Sequence, residues 1–292
     1  MLTVVIPSFH SSSLILDRIN EINVSIPIII IENSRDYNFK KKIEKKFNNV
    51  KVIIPEENIG WGKAVNLGIK NSKTQMVFIS QPDVKLIDNC ISKLSECIKS
   101  FQDFTVLTPV DLNNDLFTNY ENYNSYPDLI KNNKFLIKEV DYVDLTWLIN
   151  KNNFDEIDLW DENIFLYFEA KDFAKRLKTR NKKIFIAKGI NTFHIGSSSH
   201  DKRLDYYSKL NRNWHYNWSR YYFNKKHYGY FYAMKKAISL LIKLIIKYLR
   251  SLILFKKLER KLLFAELFGL ISSIMNKPSS YRPYEKIKLN NS

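Results

Sequence analysis

Four side chains carry most of the chemistry open to this sequence: Asp83, Glu169, Asp172 and His194. Carboxylates and an imidazole can accept a proton or hold a cation, yet each of the four also has a plainer use. Asp83 follows Pro82, which ends the apolar run Met76–Ile79 because it cannot donate to a strand ladder. Ligands bind at such a position in open α/β sheets, beyond the carboxyl ends of the strands, and ordinary turns also place an Asp there. Glu169 and Asp172 stand three apart at the start of a helical pattern, so they share a face. Acidic residues equally suit a helix N-terminus, although an exposed cap does not need the preceding block Phe165-Leu166-Tyr167-Phe168. His194 precedes a Gly/Ser turn, where a lone imidazole is more often packed than ligating.

The elements that must position these groups follow from hydrophobic patterning. Leu2–Ile6, Ile26–Ile31, Val50–Ile54 and Met76–Ile79 are short apolar runs of the kind expected for strands covered on both faces. Between them, residues 14–22, 40–47 and 63–70 are helical in pattern. This alternation predicts a mostly parallel sheet with right-handed crossovers. The stretch from Asn58 to Val84 is its centre. Gly60 and Gly62 bracket Trp61, which predicts unusual dihedrals or close approach to a flat ligand. Residues 86–101 read as a helix, 104–108 as a strand, 140–149 as one further strand and 184–187 as another. Residues 111–138 show little periodicity and read as a long loop or a pair of irregular ribbons over the site, a lid or acceptor contact.

The 292 residues carry a formal charge of +16 that is unevenly spread. Residues 1–201 hold 26 basic and 26 acidic side chains; residues 202–292 hold 20 and 4 and so carry the whole excess. This step divides the chain into a domain over residues 1–200 and a basic, aromatic region over 201–292 that meets something anionic. Interleaved aromatic and basic residues suit single-stranded nucleic acid or a lipid headgroup zone. Residues 233–274 read as helical, as one helix or two, with Lys236, Lys243, Lys247, Arg250, Lys257 and Lys261 along one stripe and Leu and Ile opposite. No apolar run reaches the ~20 residues of a membrane span; an in-plane helix on anionic lipid fits, as does a helix packed on the first domain. Cys90 and Cys97 lack ligand-spaced partners and suggest a reducing compartment. The N-terminus has no basic leader before Pro7, so a cytoplasmic location is expected.

The run Asn58-x-Gly60-x-Gly62-x-Ala64-x-x-x-Gly68, with Asn66 inside it and a strand ending Pro82-Asp83, resembles the inverting glycosyltransferases of family 2. The rhamnosyltransferase-like subgroup is nearest; there the strand usually ends Asn-Pro-Asp, and Gln81 replaces the Asn. The resemblance implies a GT-A type, Rossmann-like α/β domain with a C-terminal helical extension. It also implies a nucleotide-diphosphate sugar bound by Pro7, Ser8, Glu32, Asn58, Gly60, Trp61, Asn66 and Asp83. Asp83 would hold a divalent cation, Mg or Mn, on the diphosphate, and His194, in a late His-x-Gly-x-Ser element, would complete its shell. Residues 160–176 resemble the family's Phe-Asp-Glu…Tyr-x-Glu-Asp-x-Asp-x-x-x-Arg element through Trp160, Asp161, Glu162, Tyr167, Glu169, Asp172 and Arg176. Ala170 stands where the family often has its catalytic base. The role then falls to Glu169, with Asp172 as the alternative, or the chain is an inactive relative that binds nucleotide-sugar or scaffolds other transferases. Thr146-Trp147 replace the family's acceptor-side Gly, making Trp147 either a sugar-stacking surface or a core residue. The implied acceptor is a lipid-linked glycan of surface polysaccharide synthesis on the inner face of the cell membrane, with no nucleic acid expected. A rhamnosyl donor follows from similarity alone.

Overall fold

The apolar runs become strands buried on both faces. A computed structural model describes residues 2–113, 119–122, 124, 130–132, 135–196 and 204–283. The chain begins with strand β1 (Leu2–Ser8), helix α1 (Ser12–Asn20), β2 (Ile28–Glu32), α2 (Tyr37–Lys46), β3 (Val50–Ile53), α3 (Gly60–Asn71) and β4 (Met76–Ser80). It continues through β5 (Val84–Leu86), α4 (Cys90–Ser100), β6 (Val106–Asp111), β7 (Tyr120–Glu121), β8 (Ile130–Asn132), β9 (Phe135–Glu139), β10 (Tyr142–Val143) and β11 (Thr146–Asn150). Helix α5 (Glu169–Thr179) and strand β12 (Ile184–His194) follow, and then three long helices: α6 (Asp205–Tyr228), α7 (Tyr230–Ile253) and α8 (Lys257–Ile274).

The main sheet runs β3-β2-β1-β4-β11-β6-β12-β9-β8, with β5 paired to β12. Strands β1 to β4 are mutually parallel where they pair. The chain moves outward from β1 to β3 and then returns to the other side of β1 with β4. That reversal opens a crevice beyond the carboxyl ends of β1 and β4. Strand β11 enters antiparallel between β4 and β6, so the sheet is mixed rather than purely parallel. One face is packed by α1, α2 and α4 through residues such as Ile15, Ile19, Phe39, Ile43, Leu94 and Cys97. The other is packed by α3 and α5, with Ala64, Val65, Phe173 and Leu177. Each such aliphatic or aromatic side chain contributes roughly 1.5–3 kcal/mol on burial.

Several boundaries differ from the sequence reading. Leu86 pairs in a strand, and the helix starts only at Cys90. The expected strand over 140–149 is two, separated at Asp144-Leu145, where Leu145 has φ 70°. The aperiodic stretch 111–138 contributes β7, β8 and most of β9; its residues 114–118, 123, 125–129 and 133–134, like the expected turn residues Ser197 to Ser199, lie outside the described residues. Cys90 and Cys97 are both buried, and burial pushes the Cys90 thiol up to about 12, as expected for inert thiols.

The chain divides into two units, Met1–Trp160 with Ala170–His200, and Asp161–Glu169 with Asp201–Ser292. The segment 161–169 thus joins the C-terminal unit rather than the first domain, a departure from the boundary expected near residue 200. Its aromatic block explains this. Phe168 packs on Tyr216 and Phe223, Phe165 on His215, and Ser219 Oγ donates to the Leu166 carbonyl at 2.8 Å. Within this unit α6 buries Trp214 and Trp218 beside Ala265, and Ala233, Ala237 and Leu244 of α7 pack with Leu263 and Leu270 of α8. The helical tract over 233–274 is two helices, parted at Leu254–Lys256, where Phe255 has φ 53°. Lys257 and Lys261 therefore belong to a different helix from Lys243 and Lys247, and the predicted stripe is broken.

Candidate active site

The sheet unit brings two of the predicted ligands together. Pro82 ends β4, and the chain turns directly into β5, which pairs antiparallel with the end of β12 so that Val84 lies opposite His194. The Ile195 amide donates to the Asp83 carbonyl at 2.9 Å, closing that ladder. His194 Nε2 then lies 3.4 Å from Asp83 Oδ2. Burial alone would lower the imidazole pKa; the Asp83 hydrogen bond and charge, with the charges of Asp111 and Asp144, leave it raised.

Behind this pair, Arg18 of α1 is 1 % exposed and its Nη2 pairs with Glu21 at 2.8 Å. Glu21 accepts in turn from the Leu86 amide at 2.8 Å. The pair thus ties α1 to the strand that follows Asp83. Burial lowers the Arg18 pKa, against the opposing pull of Glu21, Asp17 and Asp83.

The carboxyl ends of β1 and β2 form a second polar group. Ser8 sits in register with Glu32 and donates to its Oε2 at 2.6 Å. The Ser34 amide donates to Oε1 at 2.8 Å, and the Ser34 hydroxyl bonds the same atom. Glu32 is 0 % exposed, so its carboxylate organises this strand-end loop. Asn58 Oδ1 accepts from the Gly60 amide at 3.0 Å and fixes the start of α3. Gly60 has φ 81°, the left-handed conformation that its sequence context implied.

Other predicted contacts have structural employment. Asn66 is 1 % exposed and clasps the Trp160 backbone, donating to its carbonyl and accepting from its amide at 2.9 Å each. Both ends of the carboxamide are thereby engaged by the backbone of Trp160. Trp147, left open between sugar stacking and packing, is 1 % exposed. Its ring lies 5.0 Å from that of Trp61 and 5.8 Å from that of Trp160, so no indole face remains for a sugar. Trp61 is half-buried in the same cluster.

The two candidate bases separate sharply. Asp172 is 0 % exposed, and Arg176 Nε donates to its Oδ2 at 2.7 Å. Arg176 also donates to the carbonyls of Ile157 and Leu159. An i,i+4 pair so enclosed anchors α5. Ala170, at the family's usual base position, is buried in the apolar layer at 6 % exposure. Glu169 begins α5 and belongs to the second unit. It follows Tyr167 and Phe168, which have φ of 65° and 68°. Two consecutive bulky residues in the left-handed region are strained by roughly 1–3 kcal/mol each. Aromatic packing on α6 holds them there, together with the Arg212 guanidinium that donates to the Tyr167 hydroxyl.

Sequence reasoning missed Asp111 and Asp144. Asp111 is 3 % exposed and accepts from Thr192 Oγ1 at 3.2 Å and from the Asn113 amide at 3.0 Å. Asp144 accepts from the Tyr142 hydroxyl at 2.6 Å, and burial raises its pKa. Both act on the His194 charge. Asp111 opens the aperiodic stretch 111–138, and Asp144 lies inside an expected strand. The Asp144-Leu145 break in an alternating pattern is the one signal that could have marked the latter.

These residues fit a divalent cation in a limited sense. Asp83 Oδ1 is solvent-excluded and has no hydrogen-bond partner among the described residues. An orphaned carboxylate oxygen beside an imidazole suits a hard or borderline cation that keeps water and substrate phosphate as its other ligands. Among the described residues no three acidic, His or Cys groups converge as a complete metal cage.

Comparison with known proteins agrees with this architecture. The model of glycosyl transferase family 2 matches residues 3–158, more than half of the chain. The mannosyltransferase PcManGT of Pyrobaculum calidifontis, solved with GDP-Man and Mn2+, is 10% identical, with 94% of this chain and 87% of that chain covered and a TM-score of 0.55. TarS of S. aureus is 14% identical over 72% of this chain with a TM-score of 0.47, and the match spans 38% of the TarS chain. TarS 1–349 with UDP is 12% identical, covering 94% and 92%, with a TM-score of 0.49. No curated protein matches the chain. At such identities the likeness to PcManGT speaks for the fold. Together with the strand order and the family match, it identifies a GT-A-like α/β unit in a chain that belongs to glycosyl transferase family 2.

Proposed function

We propose that the protein transfers a sugar from a nucleotide-diphosphate donor to a hydroxyl of a lipid-linked glycan, with inversion at the anomeric carbon. The observation that carries this reading is the Asp83–His194 pair at the strand-order reversal, with one buried carboxylate oxygen left without a hydrogen bond among the described residues. Mg or Mn held there would neutralise charge on the departing diphosphate. Ser8, Glu32 and Asn58 shape the strand-end loops that face the nucleotide. Glu169 takes the acceptor proton as the new glycosidic bond forms, and the nucleoside diphosphate leaves from the opposite side of the sugar. One displacement inverts the centre, so no carboxylate nucleophile is required. The strain at Tyr167 and Phe168 supports Glu169 as the base, because outliers of this kind persist where the surroundings enforce them.

A lipid-linked acceptor is supported by α7, whose residues Ile238, Ile242, Ile245, Ile246, Leu249, Leu252 and Ile253 are all exposed. They recur on one helical face beside lysines, the pattern of a helix lying in a membrane interface. Among the described residues no helix is long and apolar enough to cross a membrane. Peripheral attachment to the anionic inner face of the cell membrane is the corresponding location. A rhamnosyl donor remains the first sugar to try.

The test is turnover against a panel of nucleotide sugars, with and without Mn2+, using a lipid-linked oligosaccharide. Metal-dependent release of nucleoside diphosphate that disappears in Asp83→Ala and Glu169→Gln, with folding retained, supports the reading. Nucleotide-sugar binding without turnover under every acceptor condition instead supports an inactive relative, which the apolar setting of Ala170 favours.

A further inference from the structure

The helical unit contains a cavity of about 460 Å³ between α6, α7 and α8, within the usual size range for small-ligand sites. Its polar wall carries Arg220, Lys243 and Lys247. None of these three forms an ion pair within contact distance among the described residues; Arg220 lies 5.9 Å from the Tyr216 ring. Glu266 is the one carboxylate among the described lining residues, and Asn213 Nδ2 donates to it at 3.0 Å. The cavity therefore keeps an excess of positive charge after its own acid is counted. The α7 segment that carries Lys243 and Lys247 also lines it with Leu240, Leu244 and Ile246. Leu244 is 3 % exposed, whereas Ile246 is 60 % exposed and belongs to the bare apolar face of α7.

Cations set among leucines and the exposed Ile246 match an anionic head attached to a hydrocarbon chain. Free phosphate would leave the apolar residues wet, and an uncharged lipid would leave the positive charge in excess of Glu266 without a counter-ion. We propose that this cavity is a binding site for a single phospholipid headgroup, with the phosphate against Arg220, Lys243 and Lys247 and the acyl chains leaving over Ile246 onto the α7 face. The inference deepens the membrane part of the proposed function and rests on it. It adds a stoichiometric site to what diffuse attraction of a basic surface would give.

Calorimetry on the full chain with dihexanoylphosphatidic acid below its micelle concentration separates the two, because no bilayer is present. Saturable one-to-one binding is expected. Arg220→Gln should weaken it about tenfold, as for loss of one charge-assisted contact. Lys247→Gln, at an exposed position that the fold does not need, should also weaken it, and Lys235→Gln, outside the cavity, should change it less than about twofold. Inorganic phosphate should bind at least about tenfold more weakly, since it buries no apolar surface. Equal affinity for phosphate and the lipid, equal effects of the three substitutions, or no saturable binding would each overturn the proposal. Sedimentation with phosphatidylglycerol vesicles distinguishes the two levels. Vesicle binding without monomer binding leaves the membrane reading standing and removes the cavity site, and no vesicle binding removes both.

Discussion

The two units dispose of their apolar side chains in opposite ways. In the sheet unit, β1, β2 and β4 are buried along their whole length, and the polar residues gather where these strands end. In the helical unit, α7 buries Ala233, Ala237, Leu244 and Ser251 and leaves seven isoleucines and leucines in contact with solvent. One unit keeps its grease inside and works at its rim. The other shows an apolar surface that the proposed membrane attachment would cover. The contrast teaches that hydrophobicity alone separates neither core from surface nor stability from function in this chain.

The sharpest way to break the contrast is at the rim. Asp83→Ala should lower transfer by ~10³-fold or more while the thermal unfolding midpoint stays near that of the parent. A large fall in midpoint would mean that the rim is structural after all. Next comes the core: Phe78→Ala, at a side chain 0 % exposed, should cost about 3–5 kcal/mol in urea unfolding.

The third test uses pH on the helical unit. His215 is 0 % exposed; its Nε2 donates to the Tyr281 carbonyl and its Nδ1 accepts from Ser279 Oγ, both at 2.8 Å. Burial, helped by the Arg282 charge, lowers its pKa to about 3. The unfolded chain binds a proton below about pH 6.5 that the folded chain refuses until about pH 3. Stability at this site is therefore complete above pH 6.5 and falls by about 1.4 kcal/mol per pH unit as the solution is acidified. His215→Gln should flatten that slope in unfolding measured between pH 4 and 7. The smallest effect is expected at Ile242→Ser, 54 % exposed in the parent. Unfolding free energy should shift by less than about 0.5 kcal/mol, while sedimentation with anionic vesicles declines. A shift comparable to that of Phe78→Ala would show that α7 packs against protein.

The sequence made the first half of the sheet legible because strands covered on both faces are continuous apolar runs, and Pro82-Asp83 marked the end of one of them. It did not reveal that β11 enters antiparallel, since residues 146–150 are as uniformly buried as a parallel strand would be. Helix α6 escaped notice for a different reason. Its hidden side holds Asn211, His215, Asn217 and Ser219 among the tryptophans, and buried polar residues blur the period on which a helix is recognised. Of the candidate site, Asp83 and His194 were marked by their sequence context and lie 3.4 Å apart, whereas nothing in the sequence showed that Asn66 and Trp147 are enclosed by packing. Asp172 looked identical in kind to Glu169 until the Arg176 ion pair distinguished them.

The rungs joining Val84 to His194 and Asp83 to Ile195 have a last consequence. The spacing of the acid and the imidazole is set by backbone register, so no gradual adjustment of side chains can retune it. A slip by one residue would present Phe193 or Ile195 in place of the imidazole and turn the neighbouring side chains over. Descendants of this chain can keep the pair or abandon it, but they have no intermediate grade through which to pass.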